Sequence, residues 1–209
     1  NTHSSNGGKS IRLNLPNILT VFRIGLTPLF IISLFSDFKY GHPIAFILFI
    51  IACVTDTYDG YYARKYNQIT PEGKFLDPLA DKILVSSAFI SFAYLEIIEF
   101  WMVGLIIFRD LFVTGLRMVV EQKGLSMVTS LIAKTKTTVQ YIIIIFTLFV
   151  LGLKGMQYVW ANSLLELEKE LSLVYNLTLF ITIFTVFTGL TYLNDNKSTI
   201  KQFLEHNET

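Results

Sequence analysis

Ile44-Ala-Phe-Ile-Leu-Phe-Ile-Ile-Ala-Cys53-Val-Thr-Asp56-Thr-Tyr-Asp59-Gly60 is the stretch whose reading decides the fold: an unbroken apolar run that ends on two carboxylates. A run of this kind, roughly 43–63 with its flanks, has about the 20 residues a helix needs to cross hydrocarbon. Five others accompany it, at roughly 16–36, 77–96, 100–121, 130–153 and 171–193. In lipid only helices and closed barrels satisfy every backbone polar group, and these runs lack the period-two alternation of barrel strands. The whole chain agrees. Of its 209 residues 52% are hydrophobic, and its mean hydropathy of +0.52 is more apolar than a soluble domain of this size carries. The expected fold is an all-α integral membrane protein, with six transmembrane helices around a polar cleft that faces the cytoplasm.

Charge sets the orientation. With six spans both termini share a side, and that side holds Lys9, Arg12, Arg64, Lys65, Lys74, Lys123, Lys134, Lys136, Lys197 and Lys201. The other side holds Lys39, Lys154 and Lys169 among several glutamates, so the positive-inside rule puts the termini in the cytoplasm. Arg23, Lys82, Arg109 and Arg117 fall inside the apolar segments, toward the same half. Residues 1–10 read as a flexible polar tail, 11–195 as the membrane domain and 196–209 as a polar C-terminal tail. No cleavable signal peptide is read at the start. Leu164–Leu171 mixes leucine with glutamate, as an amphipathic helix on the outer surface would, and Ile11–Pro16 suggests a similar helix on the inner one. The single cysteine, Cys53, makes no intrachain disulfide and reads as a small core residue. His3, His42 and His206 are scattered and read as surface residues.

Charges inside a membrane span are costly and mark function. Asp56 and Asp59, three apart, share one face of the second helix, while Asp77 and Asp81, four apart, share a face at the start of the third. A short link makes these helices antiparallel neighbours, so the four carboxylates converge. They stay ionised together only if cations hold them, and hard oxygen ligands at this density suit Mg²⁺ or Mn²⁺. Two such ions on phosphate oxygens fit displacement at phosphorus. Helix capping is the plainer account of Asp77, which precedes Pro78, although Thr70 before Pro71 offers the same start signal earlier. Capping does not account for Asp56 and Asp59. Gly60 and Gly73 let a ligand approach the backbone closely, and Arg64 adds a fixed positive charge for phosphate.

Asp56-Thr-Tyr-Asp59-Gly60-Tyr-Tyr-Ala63-Arg64, then eight residues, then Gly73-Lys-Phe-Leu-Asp77-Pro-Leu-Ala-Asp81 resembles the signature of the CDP-alcohol phosphotransferases at every fixed position. The resemblance implies that the four aspartates share two divalent metals, Asp56 and Asp77 touching both, Asp59 one and Asp81 the other. It implies Asp81 as the general base, and Gly60, Arg64 and Thr70 as contacts to the nucleotide of CDP-diacylglycerol. Asn17, Thr20 and Arg23, spaced by three along the first helix, face the same way and are expected to bind cytidine or diphosphate.

The acceptor is read elsewhere. Arg109 and Arg117 lie about two turns apart on one side of a helix, and Lys134 and Lys136 follow at the start of the next. Four cations together suit a second phosphate, and so an acceptor that is itself a phosphate ester. The stretches Asn17 to Arg23, Arg109-Asp110 to Arg117 and Lys134 to Thr137 resemble the phosphatidylglycerophosphate synthase branch, with Asp110 where that branch carries glutamate. The resemblance therefore implies transfer of a phosphatidyl group from CDP-diacylglycerol to sn-glycerol 3-phosphate, in a bacterial plasma membrane, by a homodimer surrounded by membrane lipids; no nucleic-acid partner is expected. Inositol phosphate and phosphatidylglycerol are the alternative acceptors, and a cation transporter is the remote alternative class.

Overall fold

The computed structural model describes residues 15–65, 71–128, 131–156 and 161–205, with no account of the side chains of 15–18, 57–65, 71–78, 131–134 and 155. Among the described residues there are eight helices and no strand. They are α1 (Leu15–Leu34), α2 (Gly41–Lys65), α3 (Pro71–Tyr94), α4 (Phe100–Gln122), α5 (Leu131–Met156), α6 (Asn162–Leu171), α7 (Leu173–Asp195) and α8 (Lys197–Glu205). The six apolar segments are α1 to α5 and α7. The glutamate–leucine stretch is α6, a strongly amphipathic helix. The polar C-terminal tail carries α8.

One boundary that the sequence leaves open is fixed by the structure. The third helix begins at Pro71, not near Asp77. Asp77 therefore lies in its second turn and is not its N-cap. Where Ile11–Pro16 was expected to form a separate surface helix, Leu15 and Pro16 already belong to α1, and 11–14 lie outside the described residues.

The turns use specific backbone chemistry. At the end of α3, Glu96 takes a positive φ of 56°, with Glu96 N–H donating to the Ala93 carbonyl and Ile97 N–H to that of Phe92. This pairing is the Schellman pattern, which satisfies the last carbonyls of a helix. Gly124 (φ 77°) closes α4 the same way through Val120 and Glu121, and here glycine supplies the left-handed conformation without strain. Ser172 alone, also left-handed, turns α6 into α7.

Helix α1 packs against both α2 and α3; α5 packs against α2, α3 and α7; and α4 lies against α3 and α7. The expected direct pairing of α2 with α3 is not a principal contact among the described residues, where α1 and α5 join them. The main apolar core gathers Phe30, Phe49, Phe89, Phe92, Ile106 and Leu148, with the Phe30 and Phe49 rings 5.7 Å apart. A second cluster (Val113, Val120, Met127 and Tyr192) seats α8 through Ile200 and Phe203.

Burial runs inside out relative to a soluble bundle. Thr20, Arg23, Asp110, Lys136, Gln140 and a row of threonines on α7 are buried, while large apolar side chains are exposed. Phe180, Ile183, Phe187 and Leu190 line the outside of α7, each more than half exposed. In water so much exposed apolar surface is a liability; against lipid it is the natural exterior. The α7 threonines complete the pattern, since Thr178, Thr182 and Thr188 donate to carbonyls of their own helix. Thr135–Lys154 within α5 and Leu173–Asp195 of α7 are long and apolar enough to cross a membrane, and Leu19–Leu34 and Gly41–Asp56 are shorter apolar stretches. Among the described residues no other helix reaches that standing. The chain is consistent with a membrane protein on both grounds.

Cores of this kind are held by close packing more than by transfer from water. Phe49→Ala, at a fully buried ring that also touches Tyr141, is expected to cost about 3 kcal/mol of unfolding free energy. Phe180→Ala, on the exposed face of α7, should change it by less than about 1 kcal/mol. Denaturant or thermal unfolding of both variants in detergent micelles checks the contrast.

Candidate functional site

The carboxylates come first. Asp56 near the middle of α2 forms an ion pair with Arg23 of α1, Nη1 to Oδ1 at 2.6 Å. Arg23 is 1% exposed, so its guanidinium is held at the aspartate end of the bundle by burial as well as by charge. Thr20, one turn earlier, is fully buried on the same face, as its three-residue spacing predicts. Asp81 of α3 accepts a hydrogen bond from the Tyr141 hydroxyl of α5. Asp56 and Asp81 both act electrostatically on Cys53 and on Tyr141, so the carboxylates of α2 and α3 face one locality. Cys53 is a partly buried thiol beside them. Thr70 lies outside the described residues, and so do the side chains of Asn17, Asp59, Gly60, Arg64, Asp77 and Lys134. Among the described residues no group of three or more metal-binding side chains assembles. The backbone nonetheless puts Asp59 one turn beyond Asp56 and Asp77 one turn before Asp81.

A second cluster adjoins the first. Asp110, at the middle of α4 and 3% exposed, accepts from Lys136 of α5 through Oδ1. Arg109 Nη1 reaches the same oxygen at 3.3 Å, and Gln140 Nε2 reaches Oδ2 at 3.2 Å. Lys82 of α3 stands 3.9 Å from that Oδ2 and 3.5 Å from Asp81 Oδ2. Three cations thus surround one buried carboxylate, leaving an excess of positive charge. Lys136, 1% exposed, depends on that carboxylate, because an unpaired buried ammonium is costly.

Helix α7 frames this cluster. Arg109 Nη2 donates to Thr188 Oγ1 at 3.2 Å, and the Arg109 stem lies across Gly189. A Cβ at Gly189 would come within 2.9 Å of Arg109 Cγ, so the missing side chain makes room for the arginine. Arg117, two turns on from Arg109, also meets α7: its Nε donates to Tyr192 Oη at 3.3 Å and its guanidinium lies 5.6 Å from that ring. Below it, Asn196 clamps the end of the α4–α5 connection, accepting from Val128 N–H at 2.8 Å and donating to the Val128 carbonyl at 3.1 Å.

Of the four cations expected to form one anion site, Arg109 and Lys136 meet on Asp110, while Arg117 is held by Tyr192. Asp110 emerges as the hub of the cluster, where the sequence presented it as a shortened substitute for glutamate. Lys82, Gln140 and Tyr141 were passed over as members of the site. Each is a polar group at the border of an apolar run, and that is the signal which finds them.

Comparisons with known proteins follow the same line. Residues 13–187 match the CDP-alcohol phosphatidyltransferase family, a span that takes in α1 to α5 and most of α7. A CDP-diacylglycerol–glycerol-3-phosphate 3-phosphatidyltransferase of Bacillus subtilis (strain 168) is 46% identical over 141 residues, 62% of this chain and 73% of the relative. One from Rickettsia bellii (strain RML369-C) is 36% identical over 180 residues, covering 86% of this chain and 93% of its own. A probable phosphatidylglycerophosphate synthase of Mycobacterium tuberculosis is 40% identical over 157 residues, 74% of each chain. With its aspartate signature on α2 and α3 and a match that runs through nearly the whole bundle, the chain belongs to the CDP-alcohol phosphatidyltransferase family.

Proposed function

We propose that this protein transfers the phosphatidyl group of CDP-diacylglycerol to the 1-hydroxyl of sn-glycerol 3-phosphate, giving phosphatidylglycerophosphate and CMP. The observation that carries the reading is the meeting of two unlike clusters at Asp81 and Lys82: carboxylates on one side, an excess of cations around Asp110 on the other. The first suits a diphosphate held through divalent cations, the second a phosphate ester held directly. The names of the relatives point to the same acceptor.

The donor set fits a hard divalent cation, since Asp56 and Asp81 face one locality and Asp59 and Asp77 lie one turn from them on the same helices. Asp56, Asp59, Asp77 and Asp81 would hold two Mg²⁺ or Mn²⁺ ions, which when bound neutralise charge on the diphosphate and the leaving CMP. Arg23 orients Asp56 and adds positive charge beside the diphosphate. Asn17, Thr20, Gly60, Arg64 and Thr70 are assigned to the CDP moiety. Arg109, Lys136, Lys134 and Arg117 are assigned to the phosphate of the acceptor. Asp81 takes the proton of the acceptor hydroxyl. The oxygen attacks the phosphorus that bears diacylglycerol, the bond from that phosphorus to the bridging oxygen breaks, and CMP departs with the electron pair. Holding both substrates in line supplies most of the acceleration.

In the bilayer, α1 to α5 and α7 are the six spans, α8 lies on the cytoplasmic face beside the site, and α6 lies on the outer face, where Glu168 pairs with Lys154 at 3.1 Å. The charge asymmetry and the exposed apolar belt support this arrangement. A homodimer in a bacterial plasma membrane is adopted from the family resemblance.

An acceptor panel on purified protein tests the reading. CMP release with glycerol 3-phosphate, abolished by chelation and restored by Mg²⁺ or Mn²⁺, is expected; release only with inositol phosphate or phosphatidylglycerol replaces the acceptor. Asp81→Asn should fold yet lose ~10²-fold or more in kcat, the usual worth of a general base; near-normal turnover removes that role. Arg117→Ala should raise KM for glycerol 3-phosphate while the KM for CDP-diacylglycerol stays within about twofold, since one charged contact is worth a tenfold change or more. An equal rise in both speaks against a separate anion pocket.

A further inference from the structure

We infer that Lys82 is a specificity-determining residue for the acceptor, an ammonium that binds the acceptor's phosphate while its neighbour Asp81 receives the acceptor's hydroxyl. The inference rests on the proposed acceptor and adds to it a residue outside the expected set of Arg109, Arg117, Lys134 and Lys136.

The geometry around Lys82 is unlike that of the other cations. Lys136 is in direct contact with Asp110, and Arg109 bridges Asp110 and Thr188. Lys82 Nζ stands 3.5 Å from Asp81 Oδ2 and 3.9 Å from Asp110 Oδ2, both longer than the direct ammonium–carboxylate hydrogen bond of about 2.7–2.9 Å. Its carboxylate neighbours already have closer partners: Tyr141 on Asp81 Oδ1, Lys136 and Arg109 on Asp110 Oδ1, Gln140 on Asp110 Oδ2. The charge of Lys82 is therefore held in place by two carboxylates that do not consume its three N–H donors. Its side chain is 13% exposed, in contrast to the 1% of Lys136. It is sheltered enough for its charge to be weakly screened, yet open to a ligand.

Position on the helix adds the second half of the argument. Asp81 and Lys82 are consecutive, so one turn of α3 fixes the spacing of a proton acceptor and an anion-binding ammonium. A small alcohol bearing a phosphate a few bonds from its nucleophilic hydroxyl spans both. An alcohol without the phosphate meets only Asp81 and leaves the cation excess around Asp110 without its anion. Lys82 thereby discriminates phosphorylated from unphosphorylated acceptors, through an interaction that only the right substrate completes.

Steady-state kinetics of CMP release on purified Lys82→Met and Lys82→Arg, with glycerol 3-phosphate and with glycerol as acceptors, tests this. Lys82→Met should raise KM for glycerol 3-phosphate about ten- to hundredfold, the loss of one charge-assisted hydrogen bond. KM for CDP-diacylglycerol should stay within about twofold, and the preference for glycerol 3-phosphate over glycerol should shrink; Lys82→Arg should recover most of it. A loss confined to kcat, or an equal rise in both KM values, marks a purely structural ion pair and overturns the inference. Should Lys82→Met fail to fold, Lys82→Gln and inhibition of the wild-type protein by inorganic phosphate carry the question. Phosphate should compete with glycerol 3-phosphate, and do so less well in the variant; equal inhibition of both proteins overturns the inference. Wild-type protein that releases no CMP with glycerol 3-phosphate removes the proposed acceptor itself, a result distinct from normal wild-type turnover with an unaltered Lys82→Met.

Discussion

Asp110 carries its charge at 3% exposure in the middle of α4, and much of the bundle is arranged around keeping that charge paired. Lys136 and Gln140 bring α5 to it, Lys82 brings α3, and Arg109 passes the connection to Thr188 on α7. Removing one partner of a buried pair typically costs about 3–5 kcal/mol, because the other charge is left without compensation. Four helices therefore share one electrostatic constraint. The fit at Gly189 belongs to it too, since any side chain there would push against the arginine stem.

The same constraint explains how polar and apolar residues are distributed. A helix that must face lipid can spare polarity only toward the interior. Helix α7 does so with threonines that bond to their own backbone carbonyls, which places hydroxyls inside without requiring partners on other helices. Helices α3 and α4 go further and carry full charges, so they lose the uniform apolarity that α5 and α7 keep. Asp81, Lys82, Arg109 and Asp110 are tolerated there because each meets an opposite charge within the bundle.

Much of this was legible in the sequence, for reasons that can be named. Apolar length and the leucine–glutamate pattern located α1 to α7 within a few residues, because period and length are local properties. The aspartates were legible because carboxylates in an apolar run are rare enough to stand out, and the three-residue spacing of Thr20 and Arg23 put both on the buried face. The start of α3 was not decided, since Thr70-Pro71 and Asp77-Pro78 give equal local signals and only the fold chooses between them. The partners of Asp110 were not legible at all. That Lys82, Lys136 and Gln140 meet one carboxylate follows from how α3, α4 and α5 pack, and nothing in the spacing of residues 82, 110, 136 and 140 announces it. The contact of Arg117 with Tyr192 was not legible for the same reason, since it depends on how α4 packs against α7.

A transfer between two phosphorylated partners faces an electrostatic difficulty, because a nucleotide diphosphate and a phosphate ester repel each other as they approach. A single pool of positive charge would bind either one in either place. Here the two kinds of neutralisation differ in chemistry. One cluster is dominated by carboxylates, with Arg23 paired to Asp56, and the other by ammonium and guanidinium groups gathered on Asp110. On the proposed assignment each anion then has one proper seat. In the proposed assignment the two seats meet at consecutive residues of a single helix, so the reacting hydroxyl would be brought to the diphosphate by the same backbone that separates the charges.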